Sequence, residues 1–189
     1  LPIIDAFVGG DADVKAPVFV AGSSWQPDEE IFIPYFNEHR QWKLIIAPHV
    51  IGEDHLRQIT DMLQMKTVRY SQTNEQEAAE ADCLLSSAYH YGDVAYVGGG
   101  FGVGIHNVLE AAVWDMPVIF GPNNQRFSEA QGLKRAEGGF EIHTPEDFEV
   151  LITRFTDDAE YRKCCGDRAG AFVAQMTGAT TKILGKVKS

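Results

Sequence analysis

Short apolar runs recur along this chain, separated by amphipathic, helix-compatible segments, and that alternation restricts the fold more than any other feature. Pro17 to Ala21 reads as a buried strand ending at Gly22-Ser23-Ser24. Pro27 followed by Asp28, Glu29 and Glu30 then reads as a helix start, with proline near the first position and acids facing the positive end of the dipole. The rhythm continues with a strand at Lys43 to Ala47, a helix at Glu53 to Gln64 and a strand at Lys66 to Tyr70. Beyond these come a helix near Leu84 to Tyr91, strands at Asp93 to Val97 and Pro117 to Phe120, and between them a helix at Asn107 to Trp114. A helix around Arg126 to Ala136, a strand at Gly139 to Ile142 and helical segments from Pro145 to about Met176 complete the pattern.

Continuous apolar strands alternating with amphipathic helices imply a parallel sheet covered on both faces. The expected class is α/β, with a Rossmann-like doubly wound sheet. Two places fall outside the rhythm. The stretch before Pro17 reads as the tail of a linker, and from Thr73 the polar run Asn74-Glu75-Gln76-Glu77 leads straight into Leu84, where a strand is expected and missing. There is no internal repeat or low-complexity segment.

A chain of 189 residues, 44% apolar and 23% charged, suits one globular domain over residues 1–189. Its formal charge of -11 would repel the phosphates of DNA or RNA and an anionic membrane surface, so no nucleic-acid partner is expected. A single nucleotide stays compatible, because backbone N–H groups at a helix start can hold a phosphate without net positive charge. Cys83, Cys164 and Cys165 have neither a disulfide-framework nor a zinc spacing, and reduced thiols in a cytoplasmic setting are the expected state. No apolar run approaches the roughly 18 residues that would span a bilayer, and no signal-like segment is expected at the N-terminus.

In an open parallel sheet, ligands bind beyond the carboxyl ends of the strands, at the point where strand order reverses. Three loops follow such ends. Gly22-Ser23-Ser24-Trp25 combines a glycine that permits close backbone approach with two hydroxyls, although a serine before a helix is also an ordinary cap. Pro48-His49 would aim an imidazole into the same cleft, or present a surface histidine. His55 lies six positions beyond His49, which is not a helical metal-pair spacing, and no metal is expected.

The third loop, Gly98-Gly99-Gly100-Phe101-Gly102-Val103-Gly104-Ile105-His106-Asn107-Val108-Leu109-Glu110, places five glycines within seven positions between a strand and a helix. Such density is costly in chain entropy and suggests close backbone approach to a ligand, with the following helix start offering N–H groups and its dipole. The spacing is not the G-x-G-x-x-G dinucleotide fingerprint, so an NAD dehydrogenase is not expected. Asn107 with Glu110 also matches a capping box, which spacing alone favours; capping by Asn107 and ligand contact by Glu110 are compatible.

Taken together, Gly22-Ser23-Ser24-Trp25 with Asp28-Glu29, Pro48-His49, Tyr96 to Phe101, Gly104 to Ala111 and Pro117 to Pro122 resemble the C-terminal half of 3-deoxy-D-manno-octulosonic acid (Kdo) transferases. The match runs in order from about Pro17 to Gly178-Ala179-Thr180. The resemblance implies the C-terminal half of a GT-B enzyme that moves Kdo from CMP-Kdo onto a lipid A precursor in lipopolysaccharide biosynthesis, inverting and without metal or other cofactor. It implies a nucleotide-sugar site containing Gly22, Ser23, Ser24, Pro48, His49, Gly99, Gly100, Gly104, His106, Asn107 and Glu110. Ser23 and Ser24 would face the phosphate or sugar, His106 and Asn107 would line the nucleotide pocket, and Glu110 would bind the ribose hydroxyls. The N-terminal domain, which would hold the acceptor and the general base, is absent from this sequence, so no catalytic residue is expected here and the fragment alone should be inactive. The full enzyme would work at the cytoplasmic face of the inner membrane.

The sequence departs from the family pattern twice. Many relatives carry Pro-Arg-His where Pro48-His49 stands, which leaves the source of positive charge open. Near Cys83 an apolar strand and an Asp-x-x-Gly-x-Leu loop are missing, and only Leu85-Ser86-Ser87-Ala88-Tyr89 remains recognisable. Two other readings stay open: another nucleotide-sugar enzyme of this fold, such as a UDP-sugar epimerase, or a non-catalytic nucleotide-binding module.

Overall fold

The computed structural model describes residues 1–9, 15–85 and 89–187, with side chains described to residue 177. Seven strands form one sheet: β1 (Val18–Ser24), β2 (Lys43–Pro48), β3 (Thr67–Arg69), β4 (Cys83–Leu85), β5 (Val94–Val97), β6 (Val118–Phe120) and β7 (Gly139–Glu141). Their order is β3-β4-β2-β1-β5-β6-β7, and every pairing is parallel. The connecting helices are α1 (Pro2–Phe7), α2 (Gln26–Glu38), α3 (Glu53–Met62), α4 (Glu75–Ala79), α5 (Leu109–Ala112), α6 (Ser128–Arg135), α7 (Pro145–Asp157) and α8 (Ala159–Val187).

Side chains of a strand point alternately to opposite faces, and the central strands are apolar at both registers. Phe19, Leu44, Ile46 and Tyr96 face one side, where Phe32 and Phe36 of α2 and Phe148 and Phe155 of α7 cover them. On the other side Val18, Val20 and Ile45 meet α1 and α4, while Ala95, Val97, Val118 and Phe120 meet α5, α6 and α8. The Rossmann-like doubly wound sheet expected from the sequence is therefore the observed architecture. Strand order reverses between β1 and β5, and the site must be sought at their carboxyl ends.

The linker expected before Pro17 is instead a packed element. Pro2 opens α1, and Ile4 and Phe7, spaced i and i+3, are buried against Val18, Val20 and Leu84. The missing strand also exists. The polar run forms α4, capped where the Asn74 carboxamide oxygen accepts the Glu77 N–H at 3.0 Å, and Cys83-Leu84-Leu85 then enters the sheet as β4 between β2 and β3. All three residues are buried, so three apolar positions suffice where a longer alternation was sought. The helix expected over Leu84 to Tyr91 does not form: Leu84 and Leu85 are strand, Tyr89–Tyr91 is a single 3-10 turn, and Ser86, Ser87 and Ala88 lie outside the described residues.

Burial pushes the Cys83 thiol well above its ordinary range, which keeps it protonated and unreactive. Among the described residues no helix is long and apolar enough to cross a membrane.

Candidate functional site

At the carboxyl end of β1 the pairing register with β2 shifts between Gly22 and Ser24, and Ser23 takes a left-handed conformation with φ of +52°. A non-glycine residue held there stores strain that its surroundings must impose. The surroundings are visible. A Cβ on Gly98 would lie 2.2 Å from the Ser23 carbonyl oxygen, so the start of the glycine run presses its bare backbone onto the Ser23-Ser24 turn. A Cβ on Gly100 would lie 2.5 Å from the Gly121 nitrogen, and one on Gly99, which has φ of +94°, 2.3 Å from the Gly104 oxygen. Within the run, Gly102 alone has room for a Cβ, which would meet the Gly99 oxygen at an ordinary 3.8 Å.

The glycines are thus required mainly for packing backbone against backbone, which corrects the expectation that their density makes room for a ligand. Several donors of the run are also engaged. The N–H groups of Gly98, Gly102, Gly104 and His106 bond to the carbonyls of Gly22, Gly99, Gly99 and Gly98 respectively, and the Gly99 N–H goes to Asp28. The helix that follows is shorter than expected. It spans Leu109–Ala112 rather than Asn107 to Trp114, and four residues carry little macrodipole. Asn107 still shapes its start, since its side-chain oxygen accepts the Leu109 N–H at 3.0 Å and its amide donates to Glu110 at 3.2 Å. That is an Asx-type turn rather than the capping box the spacing suggested.

Two acids at the start of α2, read from sequence as dipole partners, are buried and bonded. The Asp28 carboxylate accepts from the Tyr96 hydroxyl at 2.7 Å, the Gly99 N–H at 3.0 Å and the Trp25 N–H at 2.9 Å, joining β5, the glycine run and the helix start. Glu29 accepts the Ser24 hydroxyl at 2.8 Å and pairs with His55 Nε2 at 2.8 Å, while His55 Nδ1 meets the Val50 carbonyl at 3.1 Å. Burial holds the Glu29 carboxyl above its ordinary range, with the bonds from His55 and Ser24 acting in the opposite direction. Ser24, expected to face a ligand, is instead fully buried with its hydroxyl committed to Glu29.

Above this layer three rings bring three loops together. Trp25 stacks on His49 with centroids 4.6 Å apart, His49 lies 4.4 Å from His106, and the Trp25 indole N–H reaches His106 Nε2 at 3.5 Å. Partial burial and then the neighbouring His49 lower the His106 pKa, which keeps that imidazole neutral near pH 7.

Beside this stack a cleft of about 460 Å³ opens at the carboxyl ends of β1, β2, β3 and β4. Of the residues singled out from the sequence, Gly22, Ser23, Pro48, His49 and Glu110 line it. His106 and Asn107 do not, but they contact His49 and Glu110, which do. Gly99, Gly104 and Ser24 lie behind the wall, and Gly100 faces a separate hollow with Phe101, Pro122 and Asn123. Sequence reasoning missed Arg69, Tyr70 and Tyr89, which also line the cleft. Two of them had a usable signal, Arg69 at the carboxyl end of a predicted strand and Tyr89 in the recognisable Leu85 to Tyr89 stretch; the bare backbone of Gly22 makes room for the Tyr89 hydroxyl, which a Cβ there would meet at 1.8 Å. Burial and the Glu110 carboxylate raise the Tyr89 pKa, so the phenol stays a proton donor. Among the described residues no group of three or more His, Cys, Asp or Glu side chains is placed to hold a metal ion.

No family model matches the chain. Over 169 residues it is 28% identical to the 3-deoxy-D-manno-octulosonic acid transferase of Aquifex aeolicus, covering 82% of this chain and 45% of that protein. The similarity to Kdo transferases is borne out. A bifunctional glycosyltransferase/methyltransferase of Fusobacterium nucleatum is 29% identical over 148 residues, which are 71% of this chain and 23% of that protein. Among solved structures, the C-terminal CMP-Kdo binding domain of WaaA from Acinetobacter baumannii superposes with a TM-score of 0.71 at 21% identity, over 83% of this chain and 89% of that domain. The fold is that of a GT-B glycosyltransferase domain. The chain spans less than half the length of these curated relatives.

Proposed function

We propose that this chain is the donor-binding domain of a glycosyltransferase that moves Kdo from CMP-Kdo to a lipid A precursor, inverting and metal-independent, within lipopolysaccharide biosynthesis. The observation that carries the reading is one cleft, at the carboxyl ends of the strands beside the reversal of strand order, that gathers Gly22, Ser23, Pro48, His49 and Glu110 from three separate motifs. Its volume of about 460 Å³ suits a nucleoside monophosphate, within the roughly 300–1,000 Å³ of small-molecule sites.

In this reading the Glu110 carboxylate, held by the Asn107 amide, accepts from the ribose hydroxyls, and Ser23 and His49 face the phosphate end. His106 and Asn107 position their neighbours, and Ser24, Gly99, Gly100 and Gly104 hold the floor rigid. The acceptor site and the general base belong to a further domain outside these 189 residues, consistent with coverage of 45% of the Aquifex relative. The whole enzyme would then act at the cytoplasmic face of the inner membrane.

Calorimetric titration with CMP, UDP and NAD tests the proposal. Binding of CMP in preference to the other two is expected, with Glu110→Ala weakening it about tenfold or more, the scale of a hydrogen bond to a charged group. Preference for UDP would point to another nucleotide-sugar enzyme, and no binding at all to a non-catalytic module. A Glu110→Ala protein that bound CMP as tightly as the parent would confine Glu110 to its helix-start role.

A further inference from the structure

A phosphate in this cleft is held most firmly by a cation, and much of the glycine run's main chain is already engaged within the protein. The N–H groups of Gly98, Gly99, Gly102, Gly104 and His106 are bonded within the protein, and α5 has only four residues. Among the described residues lining the cleft, Arg69 is the only lysine or arginine. It stands at the carboxyl end of β3, on the same edge of the sheet as Gly22 and Pro48, its side chain 24% exposed.

The guanidinium is only half engaged. Its Nη1 donates to both oxygens of Glu53, at 3.0 and 2.9 Å, and no other hydrogen bond from the Arg69 side chain exists among the described residues. Nε and Nη2 therefore keep three N–H donors unassigned, and a planar guanidinium edge is the geometry that grips a phosphate with two parallel bonds. The partner acid is weakly held: Glu53 sits at the exposed start of α3 with its side chain 72% exposed, so the pair is the solvent-screened kind that contributes little.

We infer that Arg69 is the phosphate-binding residue of the cleft, and that Glu53 parks the guanidinium when no nucleotide is bound and competes with the phosphate for it. The inference rests on the donor-binding reading above and adds to it the cation that reading lacks. In chemical terms, the Arg69 edge faces the phosphate that becomes the leaving group's charge when the glycosidic C–O bond breaks, and stabilises that charge as it develops.

The test titrates the parent, Arg69→Gln, Arg69→Lys and Glu53→Gln with CMP, UMP and cytidine, following chemical shifts at low ionic strength. Arg69→Gln is expected to weaken CMP about ten- to a hundredfold while leaving cytidine unchanged, the scale of losing a charge-assisted hydrogen bond. Arg69→Lys should fall between, keeping charge but not the planar edge, and Glu53→Gln should tighten CMP up to about fivefold, the upper range of an exposed ion pair. Equal CMP binding by parent and Arg69→Gln would overturn the inference and leave the donor reading standing, as would a loss of cytidine and CMP in the same proportion. A parent that chose UMP, with Arg69→Gln losing it, would overturn the cytidine donor while upholding Arg69. A parent that bound neither nucleotide would overturn both.

Discussion

Replacing Asp28 probes the joint between the helix start, the β5 tyrosine and the glycine run. The carboxylate is 1% exposed and accepts three bonds, of which those from the Tyr96 hydroxyl and the Gly99 N–H are buried. Asp28→Ala leaves both buried donors without a partner, at about 1–3 kcal/mol each, and removes the bond to Trp25 N–H at the helix start, worth about 1 kcal/mol. The sum, about 3–7 kcal/mol, lies in the upper tail of single substitutions. Asp28→Asn separates shape from charge: its amide oxygen can face the two backbone N–H groups while its NH2 donates to the Tyr96 oxygen, at a cost of about 1–2 kcal/mol.

Urea unfolding followed by far-UV circular dichroism measures both, and nucleotide titration reports whether the wall behind the cleft has loosened. Asp28→Ala should also bind CMP more weakly than Asp28→Asn, because Gly99 is released from its anchor. A cost below about 1 kcal/mol for alanine, within the range of ordinary surface changes, would refute the idea that this carboxylate organises the turn. Equal costs for asparagine and alanine would refute the role assigned to its acceptor geometry.

Two further outcomes are expected. Burial raises the Glu29 carboxyl in the folded protein above its unfolded value of 4.5, so the native state holds the proton more tightly and the stability linked to this group is lost as pH rises through the folded pKa. Glu29→Gln, which keeps an acceptor for Ser24, should therefore gain stability relative to the parent as urea unfolding is repeated upward from pH 4.5; a difference that stays flat or shrinks would contradict the assignment. Phe7→Ala should cost about 3–5 kcal/mol in thermal or urea unfolding if α1 belongs to the core, since Phe7 is fully buried, whereas a linker residue would cost nothing measurable.

The fold was legible wherever a strand was apolar on both faces. β1, β2, β5 and β6 lie within three residues of their sequence-derived limits, because burial on two sides leaves an apolar run that needs no partner to be recognised. β4 was not legible for the opposite reason. Its three residues follow the polar α4 directly, and its identity as a strand comes from the slot between β2 and β3 that it fills. The site divided in the same way. Ser23, His49 and Glu110 could be chosen because strand ends point to clefts, but the partners of Gly98, Asp28 and Ser24 lie on other elements and only the fold brings them together. Arg69 was overlooked because a cation at the end of a short edge strand looks like ordinary surface until the cleft is formed.

A glycine run with five of its N–H groups bonded within the protein, counting His106 at its end, has a consequence for how any anion is held here. Main-chain cradles bind phosphate with donors fixed at folding, indifferent to what else the ligand carries. With those donors bonded to Gly22, Gly98, Gly99 and Asp28, the run serves as a floor, and recognition falls more to side chains on the β2–β3 flank and on α5. Side chains can be exchanged without disturbing the backbone that supports them. Ser23, held at positive φ by the pressure of Gly98, is the exception, since the strained turn is part of the floor and its hydroxyl is part of the lining. Change in ligand preference should therefore come from residues such as Arg69, Tyr70 and His49, while change on the glycine side should first be felt as a loss of fold.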